Sequence, residues 1–440
     1  LVDTEPLAIC FDYGRVYESV RLEERRLGPT GSRLDHGKQH YCDPKNERDH
    51  LEDAPGDIAE HGADTRLRRA DRPPSYARRR MSHIPIIDGH NDTLTQIRNA
   101  TGDDVRSFLA RSDKGHIDLP RAREGGLAGG FHAIFTASPY HAGDAQPLID
   151  DAGNVVPGGV AHSLPPKLRR QEATNYVLKV ISDLSRIVEA SDGQVEVVRN
   201  SADLSRCIGT GTYAVILHIE GAEAIDSDLR MLDVLYEAGL RSLGPVWSRP
   251  TIFGHGVPFD FPRSPDTGPG LTKAGRRLIE RCNALGVMID LSHLNERGFW
   301  DVADLSDAPL VATHSGAHAL SKSPRNLTDA QIDAIGASGG IIGVNFHVGF
   351  LREDGDGSGD VFTPLTEIVR HARYIADRIG VEHIALGSDF DGATMPTDLG
   401  DVTALPRLMD AMRTAGFGEE DLAQIAYGNW VRVFENTWRG

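Results

Sequence analysis

Histidines and acids at the ends of apolar runs are the residues of this chain with the clearest capacity for chemistry. The first pair is His90 and Asp92, which end an apolar run that begins at Ile84. Alternate residues of an extended chain point the same way, so a His-x-Asp pair at a strand end directs both side chains to one point. Imidazole and carboxylate are both zinc ligands, and a catalytic zinc site keeps one position for water. The other interpretation is that the pair only caps the next helix, and this short pattern leaves both open.

Four later runs end in the same kinds of residue. They supply Glu220 after residues 214–219, His293 after 287–292, His314 after 309–313, and Asp389 and Asp391 after 383–388. A single buried histidine is more often an ordinary core residue than a ligand, but three histidines that each close a strand favour ligation. Together with the first pair, these side chains would suffice for two metal ions that share a carboxylate.

The elements that must position these residues alternate between strand and helix. From Ile84 onwards, apolar runs of strand length alternate with amphipathic stretches of helix length, which is typical of parallel βα units. The predicted strands are 84–90, 130–136, 214–220, 241–247, 287–293, 309–314, 340–346 and 383–389. The predicted helices are about 168–190, 226–238, 272–285, 296–304, 328–337 and 363–379. Eight such units predict an α/β fold, a TIM-like (β/α)8 barrel whose strand ends meet at one mouth.

The N-terminal segment differs in composition from the rest. Residues 1–80 are rich in charged residues, Gly and Pro, show little apolar periodicity, and are followed at once by Met81. We expect residues 1–80 to be an extension of low order, or translated upstream sequence, and residues 81–440 to form the barrel. The alternative is a regulatory tail or a targeting segment.

Charge and composition exclude several classes of partner. The formal net charge of −17 argues against a nucleic-acid partner, which requires a basic surface. No apolar run approaches the ~20 residues that a membrane span requires, so no membrane association is expected. The four cysteines are far apart and show no C-x-x-C spacing, which predicts reduced thiols in a cytoplasmic protein. A homodimer is left open.

The chain from Ile84 to Phe434 resembles the membrane (renal) dipeptidase family of zinc peptidases. The shared motifs are 87–92, 116–121, 220–222 with 225–226, 289–293, 313–315, 325–326, 387–392 and 428–430. The resemblance implies a TIM-like barrel that holds two zinc ions per chain and hydrolyses small dipeptides, including those with a D-residue on the C-terminal side.

Carried over residue by residue, the resemblance also implies roles. His90 and Asp92 would bind one zinc ion, His293 and His314 would bind the second, and Glu220 would bridge the two. Arg325 would hold the substrate carboxylate, and Asp389 would act as the acid and base. A water shared by two zinc ions is acidified enough to supply hydroxide, which would attack the peptide bond. Asp389 would move the proton to the departing amine. The fork of Arg325 suits a terminal carboxylate, which would restrict substrates to dipeptides.

The sequence departs from the family at Trp247, where a histidine that contacts the substrate carbonyl is expected. A tryptophan ring nitrogen is only a donor and cannot replace an imidazole. His255, in the following loop, is the candidate to take its place in substrate binding, and an ordinary loop residue is an equal alternative.

Two other functions remain open on the sequence alone. One is another binuclear metal-dependent amide or lactone hydrolase. Many such barrels bridge their metals with a carboxylated lysine, and this chain has no lysine at a predicted strand end, which favours the dipeptidase. The other is a catalytically silent barrel that acts as a binding protein. The polar groups at the mouth argue against it, because a silent barrel has no physical need to keep so many of them there.

Overall fold

The structure is a computed structural model that describes residues 84–138, 145–150, 152–357 and 359–438. The predicted extension 1–80 therefore lies outside the described residues. The strands are β1 (Ile86–Asn91), β2 (Leu127–Phe135), β3 (Gln146–Ile149), β4 (Val155–Ala161), β5 (Val195–Val197), β6 (Tyr213–Glu220), β7 (Leu240–Gly244), β8 (Met288–Ile289), β9 (Val311–Ser315), β10 (Ile341–Val344) and β11 (Ile384–Leu386).

Helices follow most of the strands. They are α1 (Thr93–Asn99), α2 (Leu119–Gly125), α3 (Arg170–Ala190), α4 (Ser201–Thr210), α5 (Arg230–Glu237), α6 (Lys273–Leu285), α7 (Glu296–Leu305), α8 (Asp329–Ala337), α9 (Val348–Leu351), α10 (Thr366–Ile379), α11 (Leu405–Thr414), α12 (Glu419–Ala423) and α13 (Asn429–Thr437). Short 3-10 turns lie at Gly102–Asp104, Ala222–Ala224, Val381–His383 and Val402–Ala404, and a π turn at Gln424–Gly428. Within the described ranges, none of these helices has the length and apolar character needed to cross a membrane.

Eight parallel strands form a nearly closed barrel, which confirms the predicted fold. Their order is β8-β7-β6-β2-β1-β11-β10-β9, with β5 added outside β6. The two ends of this order approach each other where Asp290 bridges Val311 in parallel. The antiparallel hairpin β3–β4 forms a separate small sheet in the long insertion after β2. Because parallel strands all run the same way, their carboxyl ends share one rim of the barrel.

Close packing inside the barrel depends on a glycine next to the first predicted ligand. A Cβ at Gly89 would collide with the Thr313 carbonyl oxygen and would lie 2.8 Å from the Trp430 ring. Trp430, which is fully buried, packs on Phe131 with 4.8 Å between ring centroids. Glycine thus lets β1 approach the neighbouring strands and brings the residue that follows it to the rim.

Six predicted helices and eight predicted strands are present, with some boundaries moved. The largest change is in the predicted strand 287–293, of which only Met288–Ile289 is a strand. The Asp290 carboxylate accepts hydrogen bonds from the Ser292 and Thr313 backbone N–H groups, at 3.1 and 2.9 Å. A side chain that bonds its own backbone two residues on favours a turn, which is why the strand ends early.

Candidate metal centre

The five predicted metal ligands converge at the rim of the barrel. His90 lies in β1 and Asp92 directly follows that strand, while Glu220 is the last residue of β6. His314 lies in β9, and His293 lies in the turn after β8. All five residues are buried, with no more than 8% of any of them exposed. Residues up to 224 positions apart in the chain (314 − 90) therefore meet at one place.

Glu220 is at the centre of this group. Its Oε1 atom lies 2.8 Å from His293 Nε2, 3.4 Å from His314 Nε2 and 3.7 Å from His90 Nε2. Two sets of potential ligands, each with its atoms within 4.8 Å of one another, have only Glu220 in common: Glu220 with His293 and His314, and Glu220 with His90 and Asp92. A carboxylate has two oxygens, so this geometry suits a pair of metal ions that share one acid.

The geometry of Asp92 argues against a purely structural role as a helix cap. Asp92 occupies the N-cap position of α1, yet its side chain makes no capping hydrogen bond to that helix. Its Oδ2 instead lies 3.6 Å from His90 Nε2. Within the part of the chain that the structure describes, Asp92 Oδ1 and both ring nitrogens of His90 are buried without a hydrogen-bond partner. Buried polar atoms are normally satisfied, so these orphaned atoms fit a metal ion as their partner.

Hydroxyl groups hold the other two histidines in a ligating orientation. Ser248 Oγ lies 3.0 Å from His293 Nδ1, and Thr313 Oγ1 lies 2.8 Å from His314 Nδ1. An Nδ1–H group that donates to the hydroxyl leaves the Nε2 lone pair on the side of Glu220. Such outer contacts usually fix the tautomer and the ring plane of metal-binding histidines. Ser248 is 45 residues from His293 and was not among the residues predicted from the sequence.

Asp290 also lies close to the centre, but its carboxylate oxygens already accept hydrogen bonds from other residues of the protein. Its carboxylate could join His90 and His314 in a third set of potential ligands. However, it already accepts hydrogen bonds from the Ser292 and Thr313 hydroxyls, each at 2.7 Å, besides the two backbone bonds. Its oxygens are therefore committed to holding the strand ends that carry the histidines, and we assign Asp290 a positioning role.

Burial and mutual charge separate the pKa values of the centre. Burial raises the pKa of Glu220 well above its usual value, and it also raises that of Asp92. Burial would lower the pKa of His90, but the Glu220 and Asp92 carboxylates outweigh it and raise the value to about 10. Burial holds the pKa values of His293 and His314 well below their usual range. Two histidines are thus neutral, as ligation requires, and a metal ion would displace the proton that His90 otherwise carries.

Asp389 lies beside the ligands and is held by Asn345. It follows β11 by three residues and has a left-handed backbone, with φ at 61°. The Asp389 N–H donates to the His90 carbonyl at 2.9 Å, and Asn345 Nδ2 donates to Asp389 Oδ2 at 2.9 Å. Asn345 Oδ1 accepts from the His347 N–H at 2.6 Å, which fixes the orientation of the amide. Asn345 directly follows β10, but it falls inside the predicted strand 340–346, so a search for polar residues after the predicted strand ends would have missed it.

A cavity of about 530 Å³ opens over the centre and includes Asp92, Glu220, His293 and Asp389 in its wall. Trp247 also lines it, at the position where the family histidine is expected. The cavity is large enough for a small molecule and is bounded directly by the converging ligands.

Neither of the two predicted substrate-binding residues, Arg325 and His255, is among the described residues that line this cavity. The Arg325 guanidinium is buried, donates to the carbonyls of Ser292 and, at 3.2 Å, His314, and lies 5.3 Å from the centre of the Phe350 ring. His255 points elsewhere, with its Nδ1 3.5 Å from the Gly270 carbonyl oxygen. Backbone carbonyls hold Arg325 behind the cavity, and the loop of His255 directs its ring away from it.

Comparison with known proteins decides the family. The sequence profile of the membrane dipeptidase family, peptidase family M19, matches residues 75–439. The chain belongs to the membrane dipeptidase family. It is a metallodipeptidase, as the motifs predicted, and the predicted family, barrel and enzyme class are confirmed.

Two solved structures and a curated relative are similar to the dipeptidase over most of its length. A crystal structure of a metallopeptidase from Rhodobacter sphaeroides, liganded with a phosphinate mimic of L-Ala-D-Ala, is 46% identical with a TM-score of 0.73, covering 81% of this chain and 99% of that one. The crystal structure of dipeptidase AC, also of family M19, is 47% identical with a TM-score of 0.73, covering 81% and 99%. An uncharacterized protein in the PQQ-III 3′ region of Acinetobacter calcoaceticus is 40% identical over 305 residues, 68% of this chain and 90% of that protein.

Proposed function

We propose that the dipeptidase holds two zinc ions that share Glu220, and that it cleaves dipeptides in the cavity above them. The proposed ligands are His90 and Asp92 for one ion, His293 and His314 for the other, and Glu220 for both. The observation that carries this proposal is the convergence of two ligand sets on the single Glu220 carboxylate. Imidazole and carboxylate ligands in four-coordinate sites with an open position suit zinc.

Asp389 is the proposed acid and base of the reaction. Bound metal ions would acidify the attacking water and polarise the scissile carbonyl. Asp389 would accept the proton of that water and pass it to the nitrogen of the departing amine. Asn345 occupies Oδ2 of Asp389 through its Nδ2 donor, at 2.9 Å, which fixes the carboxylate beside the cavity. One oxygen of Asp389 is thereby held and the other is left to handle the proton.

The proposed substrates are dipeptides, including those with a C-terminal D-residue. The phosphinate mimic of L-Ala-D-Ala bound by the similar Rhodobacter sphaeroides protein supports this choice. Arg325 lies behind the cavity wall, and its positive charge would attract the substrate carboxylate from there without direct contact. Burial raises the pKa of Glu220, and the positive charges of His90 and, to a smaller extent, Arg325 oppose that rise, so the field of Arg325 reaches the centre.

Hydrolysis of a dipeptide library by the zinc-loaded protein tests the proposal. We expect cleavage of L,L- and L,D-dipeptides and none of the matching tripeptides, with amine release as the measurement. Two zinc ions per chain should be found by elemental analysis. Zinc-loaded protein that leaves the whole library intact but cleaves a lactone or another amide would replace the proposal with the related hydrolase function. A metal-free protein that binds dipeptides without cleaving them would indicate a silent barrel.

Replacing His90 with alanine separates the two proposed metal positions. His90→Ala removes a ligand from the Asp92 side only, so we expect zinc content to fall from about two ions to about one per chain, with the His293 and His314 position kept. Elemental analysis after gel filtration measures this. Glu280→Ala, an exposed change on α6, is the control and should keep both ions. Loss of both ions from His90→Ala, in a folded protein, would contradict separate positions.

A further inference from the structure

One wall of the cavity is built from three aromatic rings. Phe135, Trp247 and Phe259 all line it, and each is only partly buried. The Trp247 ring centroid is 4.8 Å from that of Phe135 and 5.3 Å from that of Phe259. Trp247 and Phe259 also lie 5.9 and 6.3 Å from the His293 ring. The three rings therefore form one continuous apolar surface, here called the aromatic wall, beside one of the proposed metal positions.

A buried arginine supports the aromatic wall from behind. Arg249 is fully buried, and its guanidinium carbon lies 5.3 Å from the Phe135 ring centroid and 5.4 Å from that of Trp247. It bonds Glu223 Oε1 at 2.7 Å and the Thr136 carbonyl at 2.6 Å, which fixes its position. A cation held against aromatic faces restrains them. The wall is thus ordered before a ligand arrives, which reduces the entropy lost on binding.

Other residues of the cavity lining have the opposite chemistry. Asp391 and His116 line the cavity together with Asp92 and Asp389. The Asp391 N–H donates to His116 Nδ1 at 2.7 Å, and Asp391 Oδ1 accepts from the His116 N–H at 2.6 Å. The ammonium end of a small substrate would find hydrogen-bond acceptors among these residues, whereas the aromatic wall offers a polar side chain only the Trp247 ring N–H as a donor. A ligand with one polar end and one apolar side chain fits both kinds of lining at once.

We propose that the aromatic wall makes the enzyme selective for dipeptides that carry an aromatic or large aliphatic side chain. This inference rests on the proposed dipeptide hydrolysis and adds the class of side chain. Burial of such a side chain against the rings removes apolar surface from water, whereas a polar side chain of the same shape would lose its hydration without gaining a partner. Differences of this kind change kcat/KM by about 10- to 100-fold.

Substrates matched in shape test the selectivity. Leu-Ala and Asn-Ala differ mainly in polarity, as do Ala-Leu and Ala-Asn, while Phe-Ala and Ala-Phe add an aromatic ring; each would be assayed with an L- and a D-residue at the C-terminus. In at least one of the two positions, we expect kcat/KM for Leu and Phe to exceed that for Asn by about tenfold or more. Equal values for Leu and Asn in both positions would overturn the inference.

Variants of Phe259 connect the selectivity to the wall. Phe259→Ala should reduce the Leu-to-Asn and Phe-to-Asn ratios of kcat/KM by about tenfold, and Phe259→Leu, which keeps apolar bulk, should retain most of the Leu preference. Phe362→Ala is the control, because Phe362 is 62% exposed and should leave the ratios unchanged. An unchanged ratio in a folded Phe259→Ala protein would overturn the role of the wall. If the wild-type protein cleaves no dipeptide, the proposed function fails instead.

Discussion

Glu220→Ala is expected to empty both metal positions and to lower kcat/KM by about a thousandfold or more, because bound metal contributes several kcal/mol and each 1.36 kcal/mol is tenfold in rate. Glu220 is the one residue common to the two proposed ligand sets. The loss should therefore exceed that of any variant that removes a ligand from one set only. The measurement is zinc content by elemental analysis, together with kcat/KM on a dipeptide.

Misfolding is separated from loss of metal by thermal unfolding in the presence of a chelator. Burial raises the pKa of Glu220 well above its usual value, so the ionised carboxylate destabilises the metal-free fold at neutral pH. Metal-free Glu220→Ala should therefore unfold at the same temperature as the metal-free wild type or at a higher one, whereas zinc should stabilise only the wild type. The exposed change Glu280→Ala should behave as wild type. Full zinc content in Glu220→Ala would show that the ions do not share this residue.

Parallel barrel geometry explains why so much of the centre could be predicted from the sequence. Side chains at the carboxyl ends of parallel strands meet at one rim, so finding the strands was enough to bring His90, Glu220 and His314 together. The prediction survived a boundary error: His293 lies in a turn, not in a strand, because Asp290 bonds the backbone that follows it. The position of a residue relative to the strand end mattered more than the exact end of the strand.

The contacts that orient the ligands could not be predicted in the same way. Ser248 reaches His293 across 45 residues, and Asn345 reaches Asp389 across 44. Such pairs depend on the tertiary fold, and hydroxyl and amide residues are too common in loops to single out by pattern. Asn345 directly follows the observed strand β10, but the predicted strand 340–346 ran past it and so placed it inside the strand.

A sequence motif shows which residue corresponds to a family position, but it does not show where that side chain lies in the structure. Arg325 matches the family position, yet it lies behind Phe350 with its donors on backbone carbonyls. His255 was a candidate replacement for a missing histidine only because it is near Trp247 in the sequence. Nearness along a loop does not determine direction, and its ring faces the Gly270 carbonyl. Trp247 itself lines the cavity and belongs to its apolar wall.

Asp389→Asn is expected to lower kcat by about 100- to 10,000-fold while both zinc ions remain bound, which is the usual loss when a general acid or base is removed. Asn345 Nδ2 donates to Asp389 Oδ2 at 2.9 Å, and an asparagine can keep that bond through its carbonyl oxygen. The variant therefore preserves the shape of the site but cannot accept a proton. KM should change little, since the substrate-facing groups stay in place.

The measurements for Asp389→Asn are kcat, KM and zinc content on the same preparation. Asp304→Asn, an exposed change on α7, is the matched control and should leave all three unchanged. A kcat within tenfold of wild type, with full zinc, would assign the proton transfer to another group. Loss of zinc would instead make Asp389 part of the metal site. The Asp389 backbone N–H donates to the His90 carbonyl at 2.9 Å, and the substitution keeps this bond. A change in zinc content would therefore have to come from the Asp389 side chain itself.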